Sequence, residues 1–592
     1  MPAYTPPVEE MMALLEEVLQ AGPLLAALPG AEGDPLPLLR DVLEEAGRFA
    51  AQRLAPLNAS GDAEGCRLEN GVVRLPQGFA EAYADFVAGG WGGLAQPVEW
   101  GGQGLPRVAQ IALDEMLSSA NFAFGLLPGL TRGAAEMVER FAPEPLKSTY
   151  LPKLVSGEWA GAMALTEAHS GTDLGLLRTR AEPQPDGTLR VTGGKIFITG
   201  GDHEAAENIV HLVLVRLPDA PPGVRGISLA LVPKYLPDAE GRPGVRNGLS
   251  AGALEHKMGI HASPTCVMNY DGATGWLIGE PHRGLVVMFT MMNTERLFVG
   301  LQGLGIAEAA YQGAARYARD RLQGRAPLAA AEAQGPQPIL GHPDVRRMLL
   351  TIRGFTGAAR ALALWTALEM EKAARHPDPA ERAASEGLIA LLTPVIKASF
   401  TDLGFESTVL AQQVFGGHGY VREWGMEQLV RDARIAQIYE GTNGVQAMDL
   451  VTRKIGMEDG RLPFRFFALI RSSIEAGAAI PGAADYTAPL TAALERLEAA
   501  TERLQARAAD PVEAGAAAAD YLRFFALVAL GWMWLRMALH ALSLGEAALP
   551  RHRDHLAVAQ FFLRRLLPQC VALDLAIAEG AAPLLALREE AY

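Results

Sequence analysis

QVFGGHGYVREWGMEQLVRDARIAQIYEGTNGVQ, residues 413 to 446, is the stretch on which the reading of this chain turns. It opens in a glycine cluster, runs through helix-forming sequence, and ends where Glu440 stands between Tyr439 and Gly441 as the backbone loosens. FGGHGY (415–420) has no strand before it, so it fails as a dinucleotide fingerprint. Its glycines would still allow positive φ and a close approach to a phosphate, while a plain turn between helices fits the same residues. By itself, Glu440 reads as a solvated glutamate at a helix end and Thr442-Asn443-Gly444 as a turn or helix cap.

Outward from this stretch the texture changes three times. Residues 1–155 carry apolar residues at helical spacing, as in LPLLRDVLEEAGRFAAQRL, interrupted by GGWGGLAQPVEWGGQGLP. Residues 156–285 are short runs rich in β-branched residues, such as LRVTGGKIFIT and NIVHLVLVRL, parted by Pro and Gly turns. Helical spacing returns over 286–458, and 459–592 is a further alanine- and leucine-rich helical region. The expected fold is therefore mainly α with a central β domain. Four consecutive domains are expected: a helical one, a β barrel or sandwich, a helical bundle and an additional C-terminal helical domain. GLGIAE (303–308) lies inside a helical pattern and ends in Glu308, so helix packing explains its glycines better than a nucleotide does.

Composition removes several function classes. Apolar residues make up 49%, charged residues 20%, and the formal net charge is −15. A chain so acidic lacks the basic face that nucleic acid phosphates require. The three cysteines, Cys66, Cys266 and Cys570, have no metal or redox spacing, and His203, His256, His261 and His418 are dispersed, so no metal is expected. MPAYTPPVEEMMALLEEVLQ lacks the basic start and apolar stretch of a secretory signal, which suggests a cytoplasmic protein. FFALVALGWMWL (524–535) is bounded by Arg523 and Arg536 and falls short of the ~20 residues that span a bilayer, so a buried helix and no transmembrane segment are expected.

ALTEAHSGTDLG (164–175), KIFITGG (195–201), NTERLFVGLQGLGIAEA (293–309) and the opening stretch occur in an order and spacing that resembles the acyl-CoA dehydrogenase family. GWGGLAQPVEWGGQG looks like that family's N-terminal signature, and the resemblance covers roughly residues 35 to 455. The extra C-terminal helices, the MPAYTPPVEEM start and EHKMGIHASPTC (255–266) look like its long branch, which includes the bacterial 3-methylmercaptopropionyl-CoA dehydrogenases.

The resemblance implies α,β-dehydrogenation of an acyl-CoA to the trans-2-enoyl-CoA, with FAD as oxidant and an electron-transfer flavoprotein as acceptor, in fatty acid metabolism. The substrate it implies is 3-methylmercaptopropionyl-CoA or a medium- or long-chain acyl-CoA. An α-proton of a thioester is hard to remove, so a base must act opposite an electron sink. Glu440 matches the family base, the β-hydrogen leaving as hydride to flavin N5. A carboxylate at the usual ~4.3 is a weak base for this, and closure around an apolar chain would raise it. The Glu440 N–H would face the thioester carbonyl, with Gly441 beside it in the substrate site.

For the cofactor, Leu165 and Thr166 match positions at the flavin ring, Gly171 and Thr172 positions over the pyrophosphate and CoA arm, and Phe197 and Thr199 positions beside the flavin. Thr172 replaces a usual Ser and Phe197 a frequent Trp; alone, Phe197 is equally an ordinary core phenylalanine. Thr442 and Gly444 match FAD contacts. Gln413, Gly417 and Arg321 match residues that reach the FAD of a neighbouring subunit, which implies a homodimer; Arg321-Leu-Gln-Gly lacks the family's phenylalanine. Asn293, in place of a common Asp, and Arg296 match substrate contacts. The rival readings are an acyl-CoA oxidase with the same base, and a DNA-binding relative whose foothold is RHRDHLAVAQFFLRRLL (551–567).

Overall fold

The computed structural model describes residues 4–31, 33–328 and 334–591. It is mainly helical around one central sheet, and it divides into two compact units, Arg48–Phe298 and Met1–Gly47 with Val299–Tyr592. This grouping cuts across the four consecutive domains expected, because the first 47 residues belong with the C-terminal half.

In the unit Arg48–Phe298, helices α1 (Arg107–Ala120), α2 (Phe122–Phe141) and α3 (Glu144–Ser156) precede a seven-stranded sheet. Its strands are β1 (Trp159–Ala164), β2 (Arg180–Pro183), β3 (Leu189–Thr199), β4 (Asn208–Arg216), β5 (Ile227–Pro233), β6 (Leu249–Leu254) and β7 (Thr265–Ile278). The path runs β6-β7-β3-β2-β4-β1, and β5 pairs with both β7 and β4, so five strands close into a small barrel flanked by β6 and β1. Closure explains why NIVHLVLVR reads as one apolar run: all but the last residue of β4 is buried. Trp159, Leu212, Leu214 and Leu229 share a core with Leu130 and Val138 of α2. The helix lies so close to the sheet that a Cβ at Gly161 would fall 2.5 Å from the Ala134 methyl.

The N-terminal region is not wholly helical. Arg67–Glu69 pairs antiparallel with Val72–Arg74 across Asn70-Gly71, both at positive φ (52° and 76°). Asn-Gly between short runs is the strongest local hairpin signal, and it stands in plain view in RLENGVVR.

Helix α4 (Gly284–Asp320) contains the division between the units. In the unit Met1–Gly47 with Val299–Tyr592 come α5 (Pro343–Arg375), α6 (Pro379–Phe415), α7 (Asn443–Asp449), α8 (Leu462–Gly477), α9 (Ala484–Ala506), α10 (Pro511–Ser543) and α11 (Pro550–Phe561). GLGIAE does serve helix packing: a Cβ on Gly303 would lie 2.3 Å from the Phe400 carbonyl of α6. Glu308 accepts a hydrogen bond from the fully buried Arg360 at 2.9 Å, and Arg360 also meets Glu10 at 3.0 Å. Glu10 takes a second arginine, Arg353, at 2.7 Å. Burial works against its ionisation, but the two guanidiniums outweigh that and hold its carboxyl at about 2. These pairs are why the N-terminal segment belongs with the bundle.

The twelve-residue run at 524–535 lies within a helix of 33 residues, so the length argument against a membrane span does not hold. Among the described residues three helices, containing α4, α6 and α10, are long and apolar enough to cross a bilayer. Their apolar windows are 61%, 78% and 83% buried inside the protein. In α10 that burial is against aromatic partners: Trp532 stands edge-on to Trp365, Phe525 stacks on Phe466, and Trp534 donates to the Gly354 carbonyl at 2.7 Å.

Candidate active site

In the barrel unit, Leu165 and Thr166 follow β1 directly and are held by a buried ion pair. Lys195 of β3 reaches the Leu165 carbonyl and Glu167 Oε1, each at 2.9 Å, and its side chain is fully buried. Glu167 also accepts from the Arg178 and Thr179 amides at 2.7 and 2.9 Å. Burial opposes its charge, yet Lys195 and the hydrogen bonds win and hold its carboxyl at about 2. The Ile196 amide donates to the Thr166 carbonyl, which fixes the loop to β3. Gly171 and Thr172 lie beyond it in an exposed turn. The Lys195–Glu167 pair joins two of the quoted motifs but was not singled out; a lone Lys inside KIFITGG, a strand otherwise facing a core, was its only signal.

Phe197 is not a core residue. It is 59% exposed and has φ 60°, a left-handed conformation unusual for a ring-bearing side chain in mid-strand. The β7–β3 register shifts there, Cys266 facing Ile198 and Met268 facing Lys195, so a bulge turns the ring outward while Ile198 stays buried. Thr199 ends the strand, half-buried. On α4, Asn293 is exposed and accepts from Nη1 of the buried Arg296 at 3.3 Å, so Arg296 meets this amide one helical turn away.

In the other unit Glu440 is half-buried at φ 55°, followed by Gly441 at φ 83°. Two successive left-handed residues make a turn, not a helix end, and for a non-glycine residue that conformation costs about 1–2 kcal/mol. Thr442 then N-caps α7, its hydroxyl accepting from the Val445 amide at 3.3 Å, so the cap reading of this threonine is realised. Gly444 is exposed in the first turn of α7.

A cleft of about 530 Å³ opens between the ends of α4 and α6. Arg316, Tyr317, Asp320, Arg321, Phe415, His418 and Trp424 are among its lining. Tyr317 stacks on Phe415 at 4.1 Å and His418 on Trp424 at 4.5 Å, while the Tyr317 hydroxyl and His418 Nδ1 are 2.9 Å apart. Of the three residues expected at a neighbouring subunit's FAD, Arg321, expected at its pyrophosphate, lines the cleft. Gln413 and Gly417 are exposed on the segment that carries Phe415 and His418. Aromatic rings beside Arg316 and Arg321 are groups that take a nucleotide's base and phosphates, although Asp320 and Glu423 of the same lining work against the phosphates. Tyr317, Phe415 and Trp424 were not singled out in the sequence; Trp424 and Tyr317 come together only when α4 and α6 are packed.

Four family models match the chain: the acyl-CoA dehydrogenase N-terminal domain over residues 38–158, the middle domain over 162–273, the C-terminal domain over 282–455, and an acetyl-CoA dehydrogenase C-terminal-like domain over 466–588. The chain is 44% identical to 3-methylmercaptopropionyl-CoA dehydrogenase of Ruegeria pomeroyi over 96% of its own length and 97% of the relative's. The chain belongs to the acyl-CoA dehydrogenase family. That family comprises FAD-dependent oxidoreductases. This acyl-CoA dehydrogenase is also 32% identical to the broad-specificity linear acyl-CoA dehydrogenase FadE5 of Mycobacterium tuberculosis, covering 89% and 90% of the two chains. Among solved structures it shares its fold with a Bacillus anthracis acyl-CoA dehydrogenase complexed with FAD, at TM-score 0.73 and 20% identity, covering 91% and 88%.

Two further clusters in this acyl-CoA dehydrogenase look functional and are better explained otherwise. Glu17, His540 and His552 bring ligand-type atoms within 4.8 Å of one another. His552 Nδ1 accepts from the Leu549 amide at 3.1 Å, which puts the ring hydrogen on Nε2, facing Glu17 Oε2 at 2.9 Å. A cation on Nε2 would need the proton on Nδ1, against that N–H, and Arg551 already neutralises Glu17. Glu17 is thus paired with Arg551 and accepts from His552, while His540 Nε2 stands 3.6 Å from it. In the basic stretch at 551–567, Arg551 pairs with Glu17 and Arg564 with Asp485 at 2.7 Å.

Proposed function

We propose that this protein oxidises an acyl-CoA thioester to the 2,3-unsaturated thioester, with Glu440 as the base that takes the α-proton. FAD, when bound, supplies the acceptor for the β-hydrogen and its electron pair. The observation that carries the reading is the left-handed turn at Glu440-Gly441. That turn sets the half-buried Glu440 just ahead of α7, in a chain 44% identical to a 3-methylmercaptopropionyl-CoA dehydrogenase over nearly its whole length. The carboxylate holds the proton; the N–H orients the thioester carbonyl and favours the charge that develops on its oxygen. Lys195–Glu167 holds the Leu165–Thr166 backbone.

The substrate we favour is 3-methylmercaptopropionyl-CoA, ahead of medium- or long-chain acyl-CoA, on the strength of the Ruegeria relative. Loss of the α-proton and of the β-hydrogen with its electrons leaves the carbon–sulfur bonds intact. Electrons would pass to an electron-transfer flavoprotein, and the enzyme would work in the cytoplasm as a homodimer. In the dimer, the Arg321 cleft would take the FAD adenosine of the neighbouring subunit, and Arg296 and Asn293 the CoA arm.

Anaerobic mixing with a panel of acyl-CoA thioesters tests this. Flavin absorbance near 450 nm is expected to bleach fastest with the thioether substrate, and reoxidation is expected to be fast with electron-transfer flavoprotein and slow with air. No bleaching by any thioester sinks the dehydrogenase reading, and rapid peroxide formation replaces it with an oxidase.

A further inference from the structure

One carboxylate oxygen of α6 gathers both ends of the loop that carries Glu440. Asp402 Oδ1 accepts from Gln437 Nε2 at 2.6 Å and from Asn443 Nδ2 at 2.7 Å. These donors stand three residues before and three residues after Glu440. Asn443 is held from its other side as well: its Oδ1 accepts from Lys397 Nζ at 2.9 Å, and its Nδ2 lies 3.0 Å from Thr401 Oγ1. Lys397 is fully buried on α6, one turn before Thr401 and Asp402.

Between the two anchors the chain makes the left-handed pair Glu440 and Gly441. A non-glycine residue keeps such a conformation only where its surroundings over-determine it. Aspartate is also a poor choice for the interior of a 37-residue helix, since its side chain competes for backbone hydrogen bonds. Both oddities have one explanation if Asp402 exists to close the loop. The contacts inside the loop agree: the Tyr439 hydroxyl donates to Gln302 of α4, and Gln446 Nε2 reaches the Glu440 carbonyl at 3.4 Å.

We propose that Asp402 is a positioning residue whose Oδ1 clasps Gln437 to Asn443 and so fixes the Glu440 carboxylate and N–H in register with the substrate. The proposal rests on Glu440 being the base. Lys397 sets the orientation of the Asn443 amide, so that its NH2 rather than its oxygen faces Asp402. Acceptance of two hydrogen bonds, not negative charge, is what the clasp requires. Asparagine at 402 still offers an oxygen; alanine offers none.

The test uses FAD-loaded enzyme and two readouts that fail independently. Asp402→Ala is expected to speed amide exchange over residues 438–446 by about tenfold, with the rest of the molecule unaffected. It is expected to slow flavin bleaching on the order of 100-fold with KM nearly unchanged, as a base displaced by an ångström would. Asp402→Asn should stay within about threefold of the parent in both. Gln437→Ala removes one donor and should fall between. Unchanged exchange in Asp402→Ala, or fast exchange with parental bleaching, overturns the clasp. Failure of Asp402→Asn to retain the function overturns the claim that acceptance and not charge matters. Full turnover by Glu440→Gln would instead overturn the base reading, and exchange alone would then judge whether Asp402 holds the loop.

Discussion

Gly303 of α4 and Gly404 of α6 meet backbone to backbone: a Cβ built on Gly404 would stand 2.4 Å from the Gly303 carbonyl oxygen. A backbone atom cannot swing aside as a side-chain tip can. Gly404→Ala should therefore force α4 and α6 apart, although alanine is the better helix former by about 1 kcal/mol. Overpacking of this kind costs roughly 1–3 kcal/mol and should win. A lower midpoint in thermal unfolding followed by circular dichroism checks it; Gly417→Ala, with open space at its Cβ, should leave the midpoint unmoved.

Lys195→Met is expected to loosen the loop that carries Leu165 and Thr166. It strands Glu167, 5% exposed in its side chain, with backbone amides as partners and no cation at 2.9 Å. Breaking one half of a buried pair costs about 3–5 kcal/mol. The direct readout is flavin content, the ratio of absorbance near 450 nm to that at 280 nm, which should fall in the purified variant. Full flavin content with parental stability would remove the pair from any role at Leu165 and Thr166.

Stability of the barrel should fall at mildly acid pH. Burial pushes His203 and His211 down to about 4, Lys234 opposing their charge further and Asp202 resisting in part. Both ring nitrogens of His203 are buried without hydrogen-bond partners, and His211 Nδ1 meets the Tyr270 hydroxyl at 2.9 Å. The folded pKa lies below the ordinary 6.5, so the unfolded chain binds more protons between these values. The stabilisation is present above pH 6.5 and is lost as pH falls through about 4. Urea midpoints measured from pH 7.5 to 4 should show this slope, and His203→Phe should flatten it.

Local order was legible in the sequence where neighbours along the chain decide it. The helix, sheet, helix succession, the barrel strands and the reading of GLGIAE as helix packing all rest on local pattern. So did the Asn70-Gly71 hairpin, whose signal went unread. What the pattern could not carry is pairing across long separations: Glu10 with Arg353, Glu17 with His552, Lys397 and Asp402 with Asn443. Each partner alone reads as a solvated charge on a helix face, and only the packed fold gives it a purpose. The resemblance supplied the other site residues; the local pattern left Phe197 as apt for a core, and the structure has it exposed on a bulge.

Glu440→Gln separates the two tasks assigned to that residue. Glutamine keeps the size of the side chain and the backbone N–H, and it leaves Asp402, Gln437 and Asn443 untouched, so the φ of 55° and the loop should persist. The variant should fold, bind FAD and bind acyl-CoA, because none of these needs a proton acceptor. It cannot take the α-proton. General base catalysis typically contributes 10²–10⁴-fold, so flavin bleaching should slow by about that factor with KM little altered. A fall in kcat shared by a rise in KM would mean that the carboxylate mainly holds substrate. Turnover near the parental rate would assign the proton to another group, leaving the Glu440 N–H as the part of this turn that acts on the thioester.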